Sequence, residues 1–297
     1  MGMLTTAPGA RGLFHRAISE SGGAMTSLRT PLKEAEAQGK AYLSKLGAND
    51  IKAARALSAE AIQKDTTGMG NFRPVADGET IADNQYELFE SGKFNDTPIL
   101  VGTNSHEGGL FVTQKTTGAE FEKMVRSRFA ASADAILKAY PHATEAEATR
   151  ANQDLMREST FAWPTWTWAK MQSAHGKNKA FVYYYDHRTP MSPDGASHAA
   201  EIAYVFCNLG GMSMMGGGNG PEDKALSELI SSYWINFARN GDPNGAGLPV
   251  WPSFNEKDQK TMIFDKAPGA RPIPNIEKLK AFDAYFTKLR EEAKGKK

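Results

Sequence analysis

The chain has 297 residues, enough for one large domain or two small ones and for a sizeable core. Lys plus Arg number 35 against 34 for Asp plus Glu, a formal net charge of +1, so no global field favours nucleic acid or an anionic membrane surface. The single cysteine, Cys207, excludes an intrachain disulfide and a multi-thiol metal centre, and no run is long and apolar enough to span a bilayer.

Met1 to Phe14 lack a charged start followed by an apolar stretch, so they do not read as a signal peptide. A cytoplasmic location is the expectation if the chain is complete; the compartment of a longer precursor stays open. Phe14 to Ser19 reads as a short strand ended by Gly22-Gly23, with nothing before it to serve as a partner strand. A helix follows, with Thr30 as N-cap and Pro31 at its first position. Leu32, Ala35, Gly39, Tyr42, Leu43 and Leu46 form one face at helical spacing, and Gly47 closes it. A weaker helix covers about Ile51 to Gln63.

Thr97 to Gly102 is a short apolar run that suits a strand buried on both faces, and its exit loop runs from Thr103 to Gly109. From about 118 to 176 the chain reads helical in several pieces, a cap-like region with an aromatic stretch at Trp163, Trp166 and Trp168. The favoured reading of those rings is packing. Ala180 to Tyr185 is a second buried strand, followed by a loop with His198. Gly210 to Gly220 is rich in Gly and Met and lacks the Gly-Lys-Ser/Thr of a phosphate loop, so it reads as a surface loop.

Pro221 opens a long helix with Ala225, Leu226, Leu229, Ile230, Tyr233, Trp234 and Phe237 on one face, and Gly241 ends it. Thr261 to Phe264 is a last strand, and Leu279, Phe282, Tyr285, Phe286 and Leu289 stripe a C-terminal helix. Strands alternating with helices predict an α/β fold. Only about four good strands are visible, few for a chain of this size.

Two groups with catalytic potential sit just past apolar strands, where functional residues of open α/β sheets gather. Glu107 lies in the loop after the first buried strand and His198 in the loop after the second. A carboxylate followed by a histidine fits the second and third members of the order Ser…Asp/Glu…His. His106, His142, His175 and His187 are equally visible alternatives on the sequence alone. Ser19-Glu20-Ser21-Gly22-Gly23 mimics a nucleophile elbow, with Ser in place of the first Gly.

Several segments resemble type-B carboxylesterases, the family of the para-nitrobenzyl esterases and cholinesterases. They are Ala10 to Gly22, the Pro74-Val75-Ala76-Asp77-Gly78 turn, and Pro98 to Gly109, where His106-Glu107-Gly108 stands for the usual Asp-Glu-Gly. His198-Ala199-Ala200-Glu201-Ile202 stands for the usual His-Gly-x-Glu-Ile, and Tyr233 to Asn244 is close to Tyr-Trp-x-Asn-Phe-Ala-x-x-Gly-Asp-Pro-Asn. The resemblance covers nearly the whole chain in order.

It implies a single partial α/β-hydrolase domain over 1–297, the C-terminal half of that fold, with a few-stranded, mainly parallel sheet and flanking and cap helices. It implies Glu107 as the triad acid and His198 as the triad base. Ser21 becomes an accessory hydrogen-bonding serine beside the acid, or in a minority reading a surrogate nucleophile. The family's Gly-x-Ser-x-Gly elbow and oxyanion loop are not in this sequence and would lie upstream. The expected substrate is a small-molecule carboxylic ester, with no cofactor, no metal, no nucleic acid and no membrane partner. The expected partners are the missing N-terminal half or a second copy of the chain. A non-catalytic, cholinesterase-like interaction module is the alternative. The sequence does not name the ester.

Overall fold

The computed structural model describes residues 1–23, 25, 30–64, 74–210 and 218–295. In chain order the described strands are β1 (Ala17–Glu20), β2 (Thr30–Pro31), β3 (Val75–Ala76), β4 (Ile99–Asn104), β5 (Ala180–Tyr185), β6 (Lys260–Phe264) and β7 (Gly269–Pro272). They form a five-stranded sheet in the order β1-β4-β5-β6-β7 and a separate β2-β3 pair. All neighbours in the large sheet are parallel except β6 and β7. The chain falls into two compact units.

The smaller unit comprises Met3–Leu13 and Ser27–Asn95. Its helices are α1 (Leu32–Lys45), α2 (Ile51–Arg55), α3 (Ala59–Lys64) and α4 (Gln85–Glu90). The helix expected to open at Pro31 begins one residue later, because Thr30 and Pro31 pair with Val75 and Ala76. The single helix expected over 51–63 is two pieces, and Ser58 Oγ accepts from Ala61 N at 3.1 Å to start the second. Asn95 secures the N-terminal segment, donating from Nδ2 to Leu4 O at 3.1 Å and Ala7 O at 2.9 Å.

The larger unit comprises Met1–Gly2, Phe14–Thr26 and Asp96–Lys297. β4 and β5 are buried at every position. That is why their sequences run apolar without alternation. Short α5 (Gly108–Phe111) leaves the acid-bearing loop, and α6 (Gly118–Phe129), α7 (Ala133–Ala139), α8 (Glu145–Arg157) and α9 (Trp163–His175) form the helical stretch read from the sequence. Two capping boxes, Thr117 with Glu120 and Thr144 with Glu147, fix the starts of α6 and α8. Between α8 and α9 the chain makes one wide turn of π-helix, Glu158–Ala162. Trp163 stacks on Phe286 at 4.0 Å and Trp168 is buried, so these rings pack helices together.

Past β5 come α10 (Ile202–Val205), α11 (Pro221–Asn240) and α12 (Ile276–Lys294). α11 starts at Pro221 and ends where Gly241 turns left-handed, φ 74°, as its sequence requires. It buries Leu226, Ile230, Tyr233, Trp234 and Phe237 against β4, β5 and β6. The Gly-Asp-Pro-Asn turn then has a clear structural task. Asn244 exchanges hydrogen bonds with the backbone of Trp251, at 2.7 and 2.9 Å, seating that fully buried indole in the core. β7 was not visible in the sequence, because Gly-Ala-Arg-Pro is half-exposed at the sheet's edge and carries no apolar pattern. The Gly210–Gly220 loop expectation falls largely on 211–217, outside the described residues. Among the described residues, no helix is long and apolar enough to cross a membrane, and no group of three His, Cys, Asp or Glu is arranged to hold a metal ion.

Gly102 shows how closely β4 and β5 approach. A Cβ there would lie 2.2 Å from the Tyr183 ring, which is itself fully enclosed. Gly102→Ala is expected to destabilise the fold by about 1–3 kcal/mol through overpacking, read as a lower denaturation midpoint in urea.

Candidate active site

The site lies at the carboxyl ends of β1, β4 and β5. The registers Glu20↔Gly102 and Asn104↔Tyr185 align those ends, so the residues just beyond them converge. Ser21 follows β1, Asn104 ends β4, Glu107 stands three residues further on, and His198 lies in the loop beyond β5.

Glu107 is completely buried. Its Oε1 accepts from Ser21 Oγ at 2.7 Å and from Asn104 N at 2.6 Å. Its Oε2 lies 3.0 Å from His198 Nδ1. Three chain segments therefore meet on one carboxyl. Gly108, beside it, is needed for close packing, since a Cβ there would lie 1.8 Å from Gln153 O on α8. His106 faces the other way and pairs through Nε2 with Gln153 Oε1 at 2.8 Å. It secures the acid loop to α8.

The His198 side chain is about 30% exposed. With Nδ1 on Glu107, Nε2 is the ring nitrogen left for a reacting proton. The hydrogen bond to Glu107 raises the imidazole above its ordinary 6.5, partial burial opposes this, and the charges of Glu107 and Glu201 add to the rise. Phe161 stacks on the ring with centroids 5.0 Å apart and an interplanar angle of 26°, and Phe111 lies tilted at 5.3 Å. The π-helical turn presents Phe161, and such turns recur at functional sites.

Two more carboxyls lie behind the pair. Glu201 is buried and accepts from Asn104 Nδ2 at 2.5 Å. Burial raises it to about 7, the Asn104 bond opposes the rise, and nearby Glu107 and Glu20 reinforce it. Glu20 accepts from Trp234 Nε1 at 2.8 Å and is also raised, by burial first, against that hydrogen bond.

Two residues here hold left-handed backbone without being glycine. Ser21 has φ 57° and Ala199 φ 67°. The Ser21 hydroxyl is on Glu107, not on His198. Of the other histidines, His142 Nδ1 lies 2.7 Å from Tyr140 O, and His187 Nε2 lies 2.7 Å from Asp223 Oδ1, which Tyr204 OH also reaches at 2.8 Å. His187 thus makes a second histidine–carboxyl pair, outside this site. The structure joins Glu107, His198 and Ser21 in one network. Sequence reasoning missed Asn104, Phe111 and Phe161 as members. A polar residue ending an otherwise apolar strand was the available signal for Asn104; nothing in the pattern singles out the two Phe rings.

This geometry can be set beside known proteins. Residues 1–281 match the carboxylesterase family over nearly the whole chain. The chain belongs to the carboxylesterase family. It is 28% identical to the para-nitrobenzyl esterase of Bacillus subtilis (strain 168) over 93% of this chain and 58% of that one. It is 31% identical to the fumonisin B1 esterase of Sphingopyxis macrogoltabida over 91% of this chain and 52% of that protein. A solved para-nitrobenzyl esterase structure superposes with TM-score 0.78 at 26% identity, covering 94% of this chain and 59% of the other. The fold is accordingly of the α/β-hydrolase kind, mainly parallel with flanking helices, as expected. The chain spans about half the length of the curated relatives it matches.

Glu201 keeps its proton to about 7 when folded, against an ordinary 4.5. Folding therefore favours the protonated carboxyl: that contribution is complete below about 4.5, declines as pH rises, and is lost above about 7. Glu201→Gln, compared with the parent in urea melts, is expected to gain relative stability between pH 4.5 and 8, by up to ~3 kcal/mol. Ala199→Gly, which removes the Cβ from a backbone held at φ 67°, is expected to raise stability by up to ~1 kcal/mol in the same assay.

Proposed function

We propose that this chain supplies the acid and the base of a serine carboxylic ester hydrolase, with Glu107 as acid and His198 as base. The observation that carries the reading is the contact of His198 Nδ1 with the buried Glu107 carboxyl at 3.0 Å, in the loops beyond two adjacent parallel strands. That contact fixes the imidazole tautomer and leaves Nε2 to take a proton from a nucleophilic hydroxyl and return it to the leaving alcohol. The carboxyl stabilises the imidazolium while the proton is held. Membership of the carboxylesterase family and the esterases among its relatives support a small-molecule carboxylic ester as substrate. The chemistry as proposed uses no cofactor and no metal.

The nucleophile and the oxyanion donors are proposed to come from sequence outside this chain, corresponding to the part of the relatives it does not span. β1 is an edge of the large sheet, paired only with β4 among the described strands. Beside it runs a groove lined by Ile18, Glu20, Val205, Phe206, Trp234 and Ile235, with Phe206 72% exposed. An unpaired strand edge next to exposed apolar side chains calls for a covering strand and its helix. The proposed occupant is the segment that carries the nucleophile.

Ser21 as surrogate nucleophile is the second reading, favoured only by its left-handed backbone straight after a strand. Its 2.7 Å bond to Glu107 favours the accessory role, in which the hydroxyl holds the acid in place.

Hydrolysis of para-nitrophenyl acetate and butyrate tests these readings, using the purified chain, Ser21→Ala and His198→Ala, and the chain co-expressed with any coding segment immediately upstream. The expected result is no hydrolysis above background by the chain alone and hydrolysis by the co-expressed pair, abolished by His198→Ala. Its acid limb should lie above pH 6.5, because the base acts neutral and its pKa is raised. Activity of the chain alone, lost in both variants, would replace this reading with Ser21 as nucleophile. No activity in any combination would favour a non-catalytic module.

A further inference from the structure

The loop that carries His198 has no regular secondary structure before α10, yet it must hold an imidazole nitrogen 3.0 Å from a buried carboxyl. Its approach to β4 is stitched residue by residue. Arg150 donates to Asp194 O at 2.9 Å and to Ser105 O at 3.2 Å. Ala196 N donates to Ser105 Oγ at 2.8 Å, and His106 N donates to Ala196 O at 2.8 Å. The last stitch before the histidine is Asn104 Nδ2 to Ser197 O, at 2.8 Å.

Asn104 does more than close that series. It is fully buried at the end of β4. Its backbone N–H donates to Glu107 Oε1 at 2.6 Å, and its Nδ2 also donates to Glu201 Oε2 at 2.5 Å. Its carbonyl accepts from Arg157 Nε at 2.7 Å. One residue therefore touches the acid, the residue preceding the base, and the buried carboxyl three residues after it. The amide orientation is set by Ser197 O, which only accepts.

We propose that Asn104 is a positioning residue that sets the register between the acid loop and the histidine loop. It does so by presenting its backbone N–H to Glu107 while its side-chain amide binds both Ser197 and Glu201. The inference deepens the proposed roles of Glu107 and His198 and rests on them. Its physical basis is that Ser197 and Glu201 bracket His198, so holding both ends of the His198–Ala200 turn fixes where the imidazole stands. A displacement of about 1 Å at such a pair costs on the order of 100-fold in rate. The charged and titratable groups facing this junction are Glu107, Glu201 and Glu20, the buried Tyr183 phenol beside them, and Arg157 on the Asn104 carbonyl.

The test uses the whole chain with 15N-labelled histidine and needs no turnover. His198 is assigned by the loss of its resonances in His198→Ala. The parent should show a low-field Nδ1–H proton and an imidazole pKa above 6.5. Asn104→Ala should weaken or abolish the low-field proton and move the His198 pKa downward, because the contact that raises it loosens. Asn104→Leu, which keeps the branched shape of the side chain without the amide donor and adds no charge, should do the same. Asn104→Ser keeps a short polar group and serves if Asn104→Ala does not fold. In an ester-hydrolysing assembly, Asn104→Ala should lower kcat about 10- to 100-fold with KM held within about twofold.

Variants that melt earlier yet keep the low-field proton, the His198 pKa and kcat would overturn the inference and leave Asn104 a merely structural residue. Loss of the proton and the pKa shift in the variants, with no ester hydrolysis in any combination, would uphold the positioning role and overturn the hydrolase reading instead.

Discussion

The constraint on which the rest depends is that Glu107 is buried completely and must be satisfied from within. A carboxyl in that position is tolerable only if hydrogen bonds replace the water it has lost. The three partners come from the end of β1, the end of β4 and the loop beyond β5, namely Ser21, Asn104 and His198. The acid thus requires the parallel registers β1·β4 and β4·β5 to be right to the residue. A slip of one position would turn Ser21 and Asn104 to the opposite face of the sheet. Sheet order and site geometry are one problem with one solution, and the close approach at Gly102 belongs to it, because it lets Tyr183 lie across β4 just before the strand ends.

Around this acid the electrostatics are managed by burial as much as by pairing. The charges of Glu107 and Glu20 add to the burial that raises Glu201, an arrangement that would be costly were all three charged. The raised values of Glu20 and Glu201 shift both toward their neutral forms, which sit near Glu107 more easily than charged ones. The nearest buried cation, Arg157, does not bond to Glu107. It ion-pairs with Glu158 and reaches the site through the Asn104 carbonyl. This leaves the Glu107 carboxyl to the hydroxyl, the amide and the imidazole. A direct Arg–carboxyl fork there would compete with His198 for the acid.

Much of this was legible in the sequence, and the parts that were not share a cause. β4, β5 and β6 announce themselves as apolar runs, and α11 by a helical stripe between Pro221 and Gly241. Glu107 and His198 stand where strand ends predict them, and the family resemblance favoured His198 over His106, His142, His175 and His187. The misses concern places where neighbours, not local pattern, decide. Pro31 reads as a helix start until β3 claims it as a strand. β7 has no apolar signal because it only edges the sheet. Phe161 carries no local signal of its role, and it is the π-helical turn that brings its ring onto His198. Asn104 is invisible as a junction, since the three groups it joins are brought together by the fold.

The left-handed backbone at Ser21 and Ala199 completes the same logic. For a residue with a Cβ, that conformation costs roughly 1–2 kcal/mol, and it persists only where surrounding bonds over-determine it. At Ser21 the over-determination is visible, with N–H donated to Gly102 O at 2.9 Å and the hydroxyl to Glu107. At Ala199 the turn is gripped on both sides, by Asn104 on Ser197 O and on Glu201. Within this site the strain sits at the two residues whose geometry aims a side chain at Glu107, one directly and one through the adjoining His198. Relaxed backbone at either place would move a partner off the acid, so the fold holds two unfavourable conformations in order to keep one buried carboxyl satisfied.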